Sequence, residues 1–204
     1  MVPPMLRQFG RPGIRRILFL LVALALGSCS STSRPGVSNT EDACVIIREQ
    51  PDWYQAAKRT QQRWGTPPEV LFAIIWRESS FRADARTPRT YFLGVPTGRV
   101  SSAYGYAQAI DGTWDWYRES TGNSWADRDD FRDAADFVGW YTNRSTKVIG
   151  LSPSDAYSHY LAYHEGHAGF QRGRWRDKKW LRDVAAQVNG QAARYRSQLA
   201  RCGG

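Results

Sequence analysis

The chain has 204 residues, a net charge of +9 and three cysteines, which leaves room for a leader segment and one folded domain but not for several. The positive charge suits an anionic polymer: nucleic acid, a membrane surface or the cell wall. Four of the arginines lie within the first 16 residues, where there is no acidic residue, so the rest of the chain carries +5.

The N-terminal segment has the features of an export signal. An uninterrupted apolar run from Ile17 to Leu26 is too short for an ordinary membrane span and typical of a signal-peptide core. The stretch that ends at Cys29 resembles a lipobox, the bacterial motif for cleavage before a lipid-modified cysteine. We therefore predict a signal peptide over 1–28, lipidation of Cys29, and a protein at the outer membrane facing the periplasm, attached through its lipid alone. An ordinary secretory signal followed by an unrelated cysteine is the alternative, and export in either form argues against nucleic acid as a partner.

Residues 29–42 are rich in Ser, Thr, Pro and Gly and lack aromatic side chains, which predicts a flexible tether. Residues 43–204 then form the folded domain. Cys44 and Cys202 lie at the two ends of that domain. An even pair of cysteines in an oxidising compartment predicts a disulfide, here between the first and last helices. Two unrelated thiols are the alternative.

Periodicity and punctuation predict an all-α domain. The segment from Pro67 to Ser79 is apolar almost all round, so we expect it to be the buried central helix. Residues 82–105 contain several glycines and prolines and predict a long irregular loop, with a small hairpin within 88–105 as the one β-element that the sequence allows. The other predicted helices cover 52–64, 111–120, 129 or 130 to 149, 152–164 and 179–201.

Glu78 is the first candidate for chemistry, because it follows a run of apolar residues at the end of the central helix. Burial disfavours a charged carboxyl and raises its pKa, and the C-terminal end of a helix dipole acts in the same direction. A carboxyl that is protonated near neutral pH can act as a general acid. The alternative is a structural glutamate paired with Arg77 or another arginine at the helix end.

Three motifs in chain order resemble the soluble lytic transglycosylase family, which shares its fold with goose-type lysozyme. They are Glu78-Ser79-Ser80-Phe81, then Gly105-Tyr106-Ala107-Gln108, then Ala162-Tyr163-His164-Glu165-Gly166. The resemblance covers roughly half of the chain and implies a lysozyme-like helical domain. The sequence departs from the family pattern where Tyr106 and Ala107 replace Leu-Met and where His164 and Glu165 replace Asn-Ala, which indicates a divergent subfamily.

The resemblance implies a role for each matching position. Glu78 corresponds to the catalytic glutamate. Tyr163 corresponds to a tyrosine whose hydroxyl lies near that carboxyl, and a glycine at 105 would let the backbone pass close to the sugar. The residues expected to bind substrate are Ser79, Gly105, Tyr106, Gln108 and Tyr163. We expect no cofactor and no metal, because the stretch 164–167 lacks the spacing that places two histidines on one helical face.

The function that the resemblance implies is lytic transglycosylation of peptidoglycan by a monomer. Glu78 would protonate the oxygen that links N-acetylmuramic acid to N-acetylglucosamine. The C6 hydroxyl of the muramic sugar would then close a 1,6-anhydro ring. A hydrolase on the same fold is the first alternative, and it would need a second carboxylate, for which Asp84, Asp111 and Glu165 are the candidates. A non-catalytic lipoprotein that binds peptidoglycan is the second.

Overall fold

The structure is a computed structural model that describes residues 36–203, so the predicted signal peptide and Cys29 lie outside the described residues. Within this range the chain is mostly helical with one two-stranded antiparallel sheet, which confirms the predicted fold class. The elements are α1 (Ala43–Glu49), α2 (Pro51–Trp64), α3 (Pro68–Ser79), β1 (Arg89–Phe92), β2 (Val95–Arg99), α4 (Asp111–Thr121), α5 (Phe131–Ile149), α6 (Ala156–Glu165), α7 (His167–Gln171) and α8 (Lys179–Cys202).

Helix α3 is the centre of the domain, as its apolar sequence predicts. Every residue from Val70 to Ile75 is buried, and the helix packs against α2, α5, α6 and α8. A helix that is apolar on all sides is stable only when other elements cover all of its faces. The polar residues at its end therefore emerge where this cover stops.

Helices α2 and α5 pack closely because small residues line their contact. Ala56 and Ala57 on α2 are buried, and Gly139 on α5 lies directly against Thr60 and Trp64. A side chain at 139 would overlap the methyl group of Thr60 and lie 2.8 Å from Cδ1 of Trp64. The missing side chain of glycine thus sets the separation of these two helices.

The small hairpin predicted within 88–105 is present as β1 and β2. Arg89 pairs with Arg99 at its base and Phe92 with Val95 at its tip, with a register shift between Thr90 and Tyr91. Every residue of both strands is exposed. The hairpin therefore projects from the helical core instead of adding to it.

The compact unit that contains the helices begins at Gly36, so it includes residues 36–42, which their composition predicts to be part of the tether. The carbonyl groups of Thr40 and Glu41 accept hydrogen bonds from Tyr195 and Gln191 on α8, and the Asp42 carboxylate caps α1. The composition of residues 36–42 gives no indication of these long-range hydrogen bonds. The rest of the predicted tether, 29–35, lies outside the described residues.

The predicted disulfide between Cys44 and Cys202 is present and joins α1 to α8. It connects positions 158 residues apart and closes the domain at its two ends. Among residues 36–203, no helix combines the length and the apolar character that a membrane span requires.

Candidate active site

Glu78 lies in the last turn of α3, and the backbone that follows it turns sharply into the core. Ser80 and Phe81 both adopt left-handed conformations, with φ of 52° and 59°. Such residues cost roughly 1–3 kcal/mol each and collect at functional sites. The turn buries the Phe81 ring, which stacks on Trp53 with 5.6 Å between ring centroids. Phe81 thus anchors the end of α3 and fixes the position of Glu78.

The carboxyl of Glu78 is desolvated although the residue remains partly accessible. The side chain is half-buried by its surface exposure, while the protein packed around the carboxyl raises its pKa from the ordinary 4.5 to about 7. Burial is the largest cause, and a hydrogen bond from Tyr160 and the charge of Arg77 oppose it. A carboxyl with this pKa can both donate and accept a proton near neutral pH.

Two tyrosines of α6 form the side of the site that faces Glu78. Burial, and then the charge of Glu78, raise the pKa of both Tyr160 and Tyr163, so both hydroxyls stay protonated. The Tyr163 hydroxyl donates to the carbonyl of Ala107 at 2.6 Å. The direct hydrogen-bond partner of Glu78 is Tyr160, which sequence reasoning missed. Its position one helical turn before Tyr163 was the available signal, because residues three apart share a helix face.

The motif that starts at Gly105 is held by backbone contacts. Gly105 has φ of 78°, and a side chain there would overlap the carbonyl oxygen of Arg128, which accepts from the amide of Tyr106 at 3.1 Å. The close approach that requires glycine is therefore to this chain's own backbone. Gln108 has φ of 49°. Its side-chain amide nitrogen donates to the carbonyl oxygens of Ala85 and Gly105, both at 2.9 Å. Gln108 thus fastens the motif to the loop that follows Glu78.

Comparison with known proteins decides the family. A family profile described as the transglycosylase SLT domain matches residues 17–202, nearly the whole chain. The chain belongs to the transglycosylase SLT domain family. No curated protein matches the chain. Membership confirms the resemblance carried by the three motifs and supports a lytic-transglycosylase type of function that acts on peptidoglycan.

Three of the residues predicted to bind substrate, Ser79, Gly105 and Tyr106, are buried in this SLT domain. The Ser79 hydroxyl donates to the Ile75 carbonyl at 3.2 Å. The Tyr106 ring packs edge-on against Trp53 and Phe131. A side chain in the core supports the site from behind, whereas Glu78, Gln108 and Tyr163 keep partial exposure. The substrate contacts of all five residues stay predictions.

The carboxylates proposed as partners for a hydrolase are engaged elsewhere or exposed. Glu165 accepts from Lys178 at 2.6 Å, and this contact is the main cause that lowers its pKa. Asp111 forms an ion pair with Arg128 at 2.8 Å, and Asp84 is exposed. Within residues 36–203 the groups that shift the pKa of Glu78 include no second carboxylate.

The histidines of the SLT domain are dispersed over separate contacts. His159 is bonded to the carbonyl of Ser152 and His167 to the hydroxyl of Ser145, both at 3.0 Å, while His164 contacts Glu165 at 3.1 Å. The described part of the chain contains no group of three or more His, Cys, Asp or Glu side chains placed to hold a metal ion.

A second loop supports the site from outside and also escaped sequence reasoning. Arg128 donates to the carbonyl of Ala109 at 2.9 Å and pairs with Asp111, so its side chain and backbone both hold the segment around Gly105. A pocket of about 420 Å³ beside it is lined by Tyr104, Trp114 and Arg128 among others, and Glu78 is not part of that lining. Nothing in the local sequence marks Arg128, because its partners are 17 to 26 residues away.

Proposed function

We propose that this SLT domain is a lytic transglycosylase that cleaves the β-1,4 bond between N-acetylmuramic acid and N-acetylglucosamine, with Glu78 as its acid and base. The single observation that carries this proposal is a desolvated carboxyl with a pKa of about 7 at the exposed end of the central helix. Such a carboxyl is half-protonated near neutral pH, which is what a group that must both give and take a proton requires.

The reaction balances on one carboxyl. Protonated Glu78 gives its proton to the bridging oxygen, the bond from that oxygen to C1 of the muramic sugar breaks, and positive charge develops at C1. The Glu78 carboxylate then removes the proton of the C6 hydroxyl, and O6 bonds to C1 to close the 1,6-anhydro ring. Glu78 ends protonated, no water is consumed, and the Tyr160 hydrogen bond stabilises the carboxylate between the two steps.

The surroundings of Glu78 favour this reaction over hydrolysis. A hydrolase needs a second carboxylate to activate water or to form a covalent intermediate. Glu165 and Asp111 are held by Lys178 and Arg128, and burial, Tyr160 and Arg77 are the causes that set the pKa of Glu78. These observations support a mechanism in which the substrate's own hydroxyl is the nucleophile.

The test compares products released from purified peptidoglycan by residues 30–204 and by the Glu78→Gln variant, analysed by mass spectrometry. We expect anhydro-muropeptides from the native protein and a loss of at least 100-fold in the variant, since general acid–base catalysis contributes about that much or more. Glu69→Gln, at the opposite end of α3, is the matched control and should retain activity. Products with reducing ends would show a hydrolase, and peptidoglycan binding without products from either protein would show a binding role.

We also propose that the protein is a lipoprotein of the outer membrane that faces the periplasm. The support is the lipobox at Cys29 together with a disulfide, which persists in an oxidising compartment. Growth of the producing bacterium with a radioactive fatty acid should label the native protein and not its Cys29→Ser variant. Equal labelling of both would contradict lipidation at this cysteine.

A further inference from the structure

The hairpin formed by β1 and β2 presents large apolar side chains to solvent at its tip. Leu93 is 90% exposed, Phe92 69%, Val95 63% and Tyr91 61%. These four residues, defined here as the hairpin tip, are adjacent on an element that packs on nothing within the described core. A contiguous exposed apolar group of this kind marks a surface that binds a partner or a membrane.

The turn of the hairpin has a strained backbone conformation that no packing contact within the domain offsets. Leu93 and Gly94 both have positive φ, 49° and 82°. Two-residue turns with positive φ at both positions favour Asn-Gly or Asp-Gly. Leucine is sterically disfavoured in this conformation, and at 90% exposure it gains no packing in return. Leucine at a turn position that favours Asn or Asp, without a packing contact inside the domain, indicates a contact with another surface.

The base of the hairpin is positively charged. Between Asp84 and Asp111 the chain contains three arginines and no acidic residue. Arg89 and Arg99 are directly paired across the two strands, an arrangement of like charges that is unfavourable unless an anion is near. The hairpin thus combines an apolar tip with a cationic base.

We infer that the hairpin inserts its tip into an anionic phospholipid surface, with Arg89 and Arg99 at the level of the headgroups. A bilayer accommodates apolar and aromatic side chains just below a layer of negative charge, so it matches both halves of the hairpin. An anionic polymer matches the arginines alone. A protein that added a strand alongside β2 would meet Pro96, and proline on an edge strand disfavours such pairing.

This contact is additional to the predicted lipid anchor and independent of the proposed catalytic function. A lipid chain at Cys29 leaves the orientation of the domain open, whereas a hairpin in the headgroup layer fixes which surface faces the membrane. The proposal therefore revises the expectation that the lipid is the sole attachment.

The test measures partition of residues 30–204 onto sedimented vesicles of phosphatidylethanolamine and phosphatidylglycerol, and onto vesicles of phosphatidylcholine. This chain lacks the apolar leader and the lipid but keeps the whole compact unit, so binding reports on the domain. We expect Phe92→Ser with Leu93→Asn to weaken binding to the anionic vesicles about tenfold or more. Asparagine suits the left-handed turn, so the hairpin itself is preserved in this variant.

Two further variants separate charge and apolar exposure from general effects. Arg89→Gln should weaken binding about fivefold on anionic vesicles and leave binding to phosphatidylcholine unchanged. Trp125→Ser removes an aromatic side chain that is 93% exposed outside the hairpin, and it should leave binding unchanged. An environment-sensitive fluorophore can be attached to the new thiol of Leu93→Cys, because Cys44 and Cys202 are already joined in a disulfide. Its emission maximum should move to shorter wavelength on the anionic vesicles.

Absence of native binding, or binding that the tip variants leave intact, would overturn the proposal. Capture of a protein from envelope extracts that the tip variants abolish, without vesicle binding, would overturn it in favour of a protein partner. Release of products from soluble peptidoglycan should be equal in the native and tip-variant proteins. Absence of product release from the native protein, together with intact vesicle binding, would count against the proposed function and not against the membrane contact.

Discussion

The protonation of Glu78 links the chemistry of the site to the stability of the fold. Its pKa is about 7 in the folded protein against an ordinary 4.5. Between these values the folded state holds a proton that the unfolded chain has released, so this residue makes the fold less stable as the pH rises through that window. A pKa difference of this size corresponds to about 3 kcal/mol in the free energy of unfolding.

We therefore predict that Glu78→Gln stabilises the protein at pH 8 by up to about 3 kcal/mol and leaves its stability nearly unchanged at pH 4, where the native carboxyl is protonated in both states. The measurement is urea denaturation of both proteins at each pH. Glu69→Gln breaks an ion pair with Arg196 and is expected to destabilise slightly, by roughly 1 kcal/mol or less. A Glu78→Gln variant no more stable than the native protein at pH 8 would mean that the carboxyl is well solvated.

Tyr160 sets how far the pKa of Glu78 rises, because its hydrogen bond favours the carboxylate. Removal of the hydroxyl in Tyr160→Phe should raise the pKa of Glu78 further. If protonated Glu78 starts the reaction, the alkaline limit of activity moves to higher pH in this variant while turnover falls, because the carboxylate intermediate loses its donor. The measurement is the rate of anhydro-muropeptide release from pH 5 to pH 9.

Tyr163→Phe is the comparison for Tyr160→Phe. Its hydroxyl donates to the Ala107 carbonyl, so its loss should lower activity through the loop and leave the alkaline limit in place. Identical pH profiles for Tyr160→Phe and the native protein would assign Tyr160 a purely structural role.

At the scale of helices and loops, the sequence predicts what is local and periodic. The apolar run of α3 and its abrupt polar end locate the central helix and Glu78 without a structure. Helices α1 and α7 have seven and five residues, too short to be stable alone, and tertiary contacts determine them. The same holds for the site: its motifs are readable, whereas the contact of Gly105 with Arg128 joins segments 23 residues apart that no local pattern connects.

The contact between α2 and α5 gives a prediction that reverses the usual effect of glycine in a helix. Replacement of a helical glycine by alanine ordinarily stabilises by about 1 kcal/mol. At Gly139 the new methyl group would overlap Thr60 and Trp64, so we expect Gly139→Ala to destabilise by about 1–3 kcal/mol.

Gly190→Ala in α8 is the matched control, because the nearest atom to its new methyl group would be the flexible Arg194 guanidinium at 3.8 Å. It should stabilise by about 0.5–1 kcal/mol. Thermal unfolding of both variants measures the difference in sign. Stabilisation by both would show that α2 and α5 can separate at little cost.

At the scale of the whole domain, the two ends of the folded domain are fastened to each other. The Gln198 side chain accepts from the Ala43 amide at 2.8 Å, and the Tyr54 hydroxyl donates to the Gly203 carbonyl at 3.0 Å. The first of these bonds and the Cys44–Cys202 disulfide hold α1 against α8, and the second ties α2 to the residue that follows α8. Helix α8 in turn packs along the central helix that carries Glu78. The termini therefore support the site although they lie far from Glu78 in the sequence.

The disulfide should contribute more to stability than any other single bond in the domain, because it closes nearly the whole folded domain. In the chain-entropy model, a loop of more than 100 residues corresponds to about 4–5 kcal/mol. We expect urea denaturation of the reduced protein, and of the Cys44→Ser and Cys202→Ser double variant, to show a loss of that order. The hydrogen bonds between the ends remain, so the reduced protein should keep its helical circular dichroism without denaturant. Reductant should have no effect on the double variant, and coincident unfolding curves for the oxidised and reduced native protein would mean that those hydrogen bonds alone hold the ends together.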